Sequence, residues 1–77
     1  MKGDVFAMRR GRLAARLRRH GADGMLVCSV KNVCYLSGFT GDSSWLLVGH
    51  DGQSVLITDG RFVEQAEREC LGCTIVE

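Results

Sequence analysis

Four cysteines, two histidines and a crowd of arginines carry most of the chemical potential of this 77-residue chain. Cys70-Leu71-Gly72-Cys73 is a C-x-x-C, and Cys28 with Cys34 could supply a second pair of thiolates. A structural zinc site needs four ligands converging tetrahedrally, usually from two tight knuckles. Here the second pair is split by five residues and starts inside an apolar segment. Redox C-x-x-C motifs open a helix, where the dipole lowers the thiol pKa, whereas Cys70 falls at a helix end. The cysteines therefore read as four small buried hydrophobes. Arg9, Arg10, Arg12, Arg16, Arg18 and Arg19 could grip phosphates, which keeps a small nucleic-acid binder in view. Yet no aromatic interleaves them for base stacking, and Phe6, Leu13 and Leu17 use the same helix to seal a core, so a solvated helix face is the simpler reading.

Hydrolytic machinery is not expected. His20 and His50 have no metal-helix spacing, Ser43 and Ser44 lack a G-x-S-x-G elbow, and Glu64 and Glu67 read as exposed partners of Arg61 and Arg68. The glycine loop Gly38–Ser44 lacks the Lys-Ser/Thr ending of a phosphate-binding loop. No catalytic residue and no metal ligand set is assigned. Two segments remain, the Gly38–Ser44 loop and the Thr58-Asp59-Gly60-Arg61 turn, because ligand contacts in α/β sheets gather beyond strand ends. Asp59 reads first as a helix N-cap; Arg61 could clamp a carboxylate or hold a loop.

The elements that must position these residues follow from periodicity and turn signals. Residues 4–20 read as a helix, with Phe6, Leu13, Leu17 and Ala14 on one sector, Asp4 as its cap and Arg12, Arg16 and Arg19 on the opposite flank. Residues 24–29 read as a strand buried on both faces. Residues 31–36 suggest one helical turn delivering Tyr35 and Leu36 to the core. Strands follow at 45–50 and 54–58, joined through the Asp51-Gly52 hairpin signal. A helix from Asp59-Gly60 to about Cys70 and a last strand at 73–76 complete an α/β fold: a mixed β-sheet flanked by helices.

Composition bounds the rest. Ten Lys+Arg against nine Asp+Glu, with 45% hydrophobic and 25% charged residues, describe a single folding domain with little net charge. No apolar run approaches the roughly 20 residues a membrane-spanning helix needs. The start carries no secretory h-region, and Asp4 with the lack of Ser argues against a transit peptide, so reduced thiols and a cytoplasmic location are expected. The chain ends one residue past its last strand, with few helices for strands apolar on both faces. That suggests a domain incomplete at its C-terminus, or one covered by another chain.

Three segments, in order, resemble the creatinase/prolidase N-terminal domain. The first is Leu13–Leu17 followed by His20-Gly21-Ala22-Asp23-Gly24-Met25-Leu26-Val27. The second, Asn32-Val33-Cys34-Tyr35-Leu36-Ser37-Gly38-Phe39-Thr40-Gly41, resembles the family's N-x-x-Y-L-[ST]-G-[FY]-[ST]-G. The third, Val55-Leu56-Ile57-Thr58-Asp59-Gly60-Arg61-Phe62-Val63-Glu64-Gln65-Ala66, is similar to L-x-T-D-x-R-[YF]-x-x-Q-A. Members often carry Pro where Val30 stands, and this chain has none.

The resemblance implies a ribonuclease H-like α/β motif and a place in Xaa-Pro peptidases (aminopeptidase P or Xaa-Pro dipeptidase, with creatinase among the relatives). In these a following pita-bread domain holds two Mn, Co or Zn ions. Residues 1–77 are then a partial N-terminal domain, non-catalytic alone, whose partners are its own catalytic domain and a second subunit, with no nucleic acid and no membrane. The resemblance places Phe39, Asp42 and Arg61 at the active-site entrance or a subunit contact. The alternative is a stand-alone module that dimerises through its terminal strand.

Overall fold

The computed structural model describes residues 2–77, and the side chains of residues 5–77. Helix α1 spans Lys2–Arg19, strand β1 Gly24–Val27, helix α2 Val30–Ser37, strand β2 Ser44–Gly49 and strand β3 Ser54–Thr58. A 3-10 turn at Gly60–Phe62 leads into α3 (Val63–Glu69), and β4 covers Thr74–Val76. The four strands lie in the order β1-β2-β3-β4, antiparallel except for the parallel β3/β4 pair. This is the mixed sheet flanked by helices that the sequence predicts.

The boundaries shift for physical reasons. The helix starts at Lys2, two residues before Asp4, and the cap expected of the Asp4 side chain lies outside the described side chains. The single turn expected at 31–36 is a helix of eight residues. Ser29 caps it, its Oγ accepting from the Asn32 amide at 3.1 Å, and Gly38 closes it in the left-handed conformation at φ 82°. Tyr35 does not enter the core: it is exposed, with the Arg9 guanidinium 4.1 Å above its ring, while Leu36 is buried.

The core lies between the helices and one face of the sheet. Leu46 and Val48 of β2 and Leu56 of β3 are fully buried there against Val33, Leu36, Phe39, Ala66 and Cys70, with Ile75 of β4 packed alongside. All three helices contribute residues to this one side. The opposite face is bare, which corrects the expectation of strands buried on both faces. Trp45, Leu47, Leu26 and Val76 are 41–52% exposed, and register makes them neighbours: Leu26 opposite Leu47, Leu47 opposite Val55, Trp45 opposite Ile57, Ile57 opposite Val76. Side chains of a strand alternate between faces, so these apolar residues cannot reach the helices that cover their neighbours.

Arg10 is the unexpected member of the interior, 4% exposed. Its guanidinium donates to the Leu36 carbonyl at 2.9 Å and the Leu71 carbonyl at 3.4 Å, tying the C-terminal ends of α2 and α3 together. Helix ends offer unpaired carbonyls and partial negative charge, which supports a cation without a carboxylate partner.

Candidate functional site

The two motif segments meet at one end of the sheet. The loop leading into β2 and the turn leaving β3 are adjacent because Ser44 pairs with Thr58 across the β2/β3 ladder. The loop is held by its own motif residues. Ser37 Oγ donates to the Val33 carbonyl at 2.6 Å and accepts the Phe39 amide at 3.2 Å, turning the chain out of α2. A Cβ on Gly38 would sit 2.8 Å from the Phe6 ring, and one on Gly41 would sit 2.5 Å from Phe39 Cζ, so side chains are excluded at both places. Ser43 then takes a left-handed conformation, φ 54°, to enter the strand.

Phe39 anchors this loop from below. It is fully buried, edge-on to Phe62 with centroids 6.1 Å apart and planes at 82°. A direct contact of Phe39 with a substrate or second subunit, as expected from sequence, is therefore closed to it in this fold. Its place is structural, joining the loop to the segment after Asp59. Asp42 is exposed on the loop itself.

Above Phe39 the loop is clasped to α3. The Glu69 carboxylate accepts the Thr40 amide at 2.9 Å and the Thr40 hydroxyl at 3.0 and 3.1 Å, and Gln65 Nε2 donates to it at 3.3 Å and to Thr40 Oγ1 at 3.1 Å. The Thr40 amide is the main cause holding the Glu69 carboxyl below its usual range, its hydroxyl and Gln65 adding to it against the cost of burial. Gln65 stands at the Q of the Val55–Ala66 motif segment, whereas Glu69 is not singled out from sequence. Their spacing of four residues on one helix face was the available signal, but what they grip is 25 to 29 residues away in sequence.

In the turn after β3, Asp59 caps the 3-10 segment, accepting the Arg61 amide at 2.9 Å, and its carboxylate receives the Arg61 guanidinium at 3.2 and 3.3 Å. The backbone hydrogen bond from Arg61 is the largest influence lowering the Asp59 pKa. Arg61 is pushed up mainly by its hydrogen bond to Asp59, with the Asp42 charge contributing too. The cap reading of Asp59 holds, and Arg61 is oriented by it. The pair is exposed. Beneath it, the Ser44 and Thr58 hydroxyls are buried and have no hydrogen-bond partner among the described residues.

The other candidates do not join this site. His20 and His50 are exposed elsewhere, and Glu64 pairs loosely with Arg68 at 3.8 Å. The cysteines are free thiols, but only Cys70 is buried. Cys28 is exposed and Cys34 and Cys73 are half-buried, which corrects the reading of four buried hydrophobes. Burial pushes Cys70 up to about 11 and raises Cys73 as well. Among the described residues no group of three or more His, Cys, Asp or Glu side chains converges as metal ligands would. The two-ion centre implied by the resemblance therefore does not fit the residues present. Among the described residues no helix is long and apolar enough to cross a membrane.

Comparison with known proteins gives this arrangement its context. The profile of the Creatinase/Prolidase N-terminal domain matches residues 9–77. An uncharacterized peptidase, YqhT of Bacillus subtilis (strain 168), is 42% identical over 57 residues, which cover 74% of this chain and 16% of that protein. The N-terminal domain of the cytoplasmic peptidase PepQ from Mycobacterium tuberculosis H37Rv superposes with a TM-score of 0.84 at 40% identity, covering 90% of this chain and 54% of that one. An Xaa-Pro aminopeptidase from Streptococcus pyogenes gives a TM-score of 0.89 at 30% identity, covering 96% of this chain and 57% of the other. The chain thus spans about one sixth of its curated relative and little more than half of these solved structures. With the profile, the fold and both motif segments in agreement, the chain belongs to the creatinase/prolidase N-terminal domain family.

Proposed function

We propose that this chain is the non-catalytic N-terminal lobe of an Xaa-Pro metallopeptidase-like protein of the cytoplasm. Its clasped loop and the Asp59–Arg61 turn border the active-site entrance or a subunit contact there. The observation that carries this reading is the convergence of the two motif segments into one rigid, exposed, charged edge, with Asp42 and Arg61 at its surface. Backbone and side-chain hydrogen bonds fix the loop before any partner arrives, which lowers the ordering cost of contact. The metal chemistry, two Mn, Co or Zn ions, belongs in this reading to a pita-bread catalytic domain supplied by the larger protein.

The bare sheet face supports the same view. A contiguous apolar surface around Trp45 and Leu47 favours a covering layer, and the matched relatives are longer than this chain. The test is a fusion of the chain to a metal-bearing pita-bread domain, assayed for Xaa-Pro dipeptide cleavage and for oligomer mass. Arg61→Ala or Asp42→Ala should raise KM or split the oligomer. Unchanged cleavage with unchanged mass would refute the role given to this edge.

A second reading is favoured by β4, a three-residue edge strand with Val76 exposed: a stand-alone module that pairs through that strand. It predicts a discrete dimer of the isolated chain in sedimentation analysis. The first reading predicts a monomer or non-specific association through the apolar face.

A further inference from the structure

A groove of about 290 Å³ lies where α1, β1 and α2 meet. Arg9, Arg12 and Arg16 of α1 form one wall, Met25 and Val27 of β1 line it with apolar surface, and Tyr35 of α2 closes it. Among the described residues no carboxylate lines it, and the ion pairs there, Arg61–Asp59 and Arg68–Glu64, involve none of its arginines. Arg9 is pre-oriented, stacked on Tyr35 and donating to the Tyr35 carbonyl at 2.9 Å. Among the described residues β1 is an edge strand paired with β2 alone, so alternate backbone groups on its other side are free to pair.

We propose that this groove docks an extended acidic peptide segment of a partner protein, added along β1 with its carboxylates on Arg12 and Arg16. Three features favour that occupant. The arginines suit carboxylates on the helix-side face of an added strand, and its alternate aliphatic residues would extend the exposed apolar face beside Leu26. Same-side residues of an extended chain repeat at about 6.7 Å, close to the rise of about 6 Å from Arg12 to Arg16 along the helix. A single-stranded nucleic acid is the less suited partner, because it binds through stacked bases, and Tyr35, the one aromatic lining the groove, has Arg9 lying on its ring.

The experiment is fluorescence anisotropy of a labelled nine-residue peptide of alternating Glu and Val, titrated with the 77-residue chain. Saturable binding that weakens as salt rises is expected. Arg12→Glu with Arg16→Glu should weaken it at least tenfold, whereas Arg19→Glu, on the same helix but outside the groove, should change it less than threefold. N-methylation of alternate peptide residues should also weaken binding, since it removes strand pairing. Circular dichroism establishes that each variant is folded. Lack of saturable binding, an equal loss with Arg19→Glu, undiminished binding of the methylated peptide, or tighter binding of an oligothymidylate would each overturn the proposal.

Discussion

Replacing Glu69 by Gln isolates the charge that clasps the loop, leaving the side chain nearly the same shape. The carboxylate accepts the Thr40 amide at 2.9 Å and the Thr40 hydroxyl at 3.0 Å. A hydrogen bond to an ionised acceptor contributes about 1.5–3 kcal/mol when sheltered, against about 0.5–1.5 kcal/mol for a neutral one. The site is half-exposed, so solvent screening reduces the difference, and about 1 kcal/mol of stability should be lost. For a domain of this size that is a fall in Tm of about 4–8 °C. The pH dependence has a definite sign. Because the Thr40 amide, first among the causes, lowers the folded pKa of Glu69, the stabilisation is complete above the unfolded value and is lost as pH falls through the folded one. Glu69→Gln should lose that component of the acid dependence. The assay is thermal unfolding by circular dichroism at several pH values, with amide hydrogen exchange read at Thr40. An unchanged Tm, an unchanged acid profile and an equally protected Thr40 amide would refute the clasp.

Three further outcomes follow from the packing. Gly41→Ala places a Cβ 2.5 Å from the immobile Phe39 ring and should cost about 1–3 kcal/mol, seen as a lower urea midpoint; no change would mean the loop is free to shift. Thr58→Val removes a buried hydroxyl without a partner and should raise stability by about 1 kcal/mol in the same titration, while a fall would mean that the hydroxyl is bonded. In thiol labelling at pH 8, exposed Cys28 should react first and Cys70, pushed up to about 11 by burial, last; equal rates would contradict the buried placement.

How far the fold is legible from sequence depends on whether a signal is local. The Asp51-Gly52 hairpin, the Asp59 cap and the positions of the strands are local, and each stands where expected to within one or two residues. The extent of α2 is also local, written in Ser29 and Gly38, but its Lys-Asn-Val-Cys sequence carries a weak helical pattern. Which sheet face is covered is not local. Trp45 and Leu47 are as apolar as Leu46 and Val48, and only the placement of all three helices on one side separates them. Arg10 shows the same limit: it falls on the stripe of Phe6, Ala14 and Leu17, yet its charge argues for solvent until the carbonyls of Leu36 and Leu71 are brought to it. At the site, the turn residues Asp59 and Arg61 could be found from sequence. Burial of Phe39 and the grip of Glu69 on Thr40 depend on packing that joins α3 to a loop far upstream.

The most direct measurement is calorimetric titration of the purified chain with Mn²⁺, paired with an assay of Xaa-Pro dipeptide hydrolysis in the same solution. A scaffold lobe should take up no stoichiometric pair of ions and release no proline. Tight binding of two ions together with turnover would mean that these residues carry the reaction themselves.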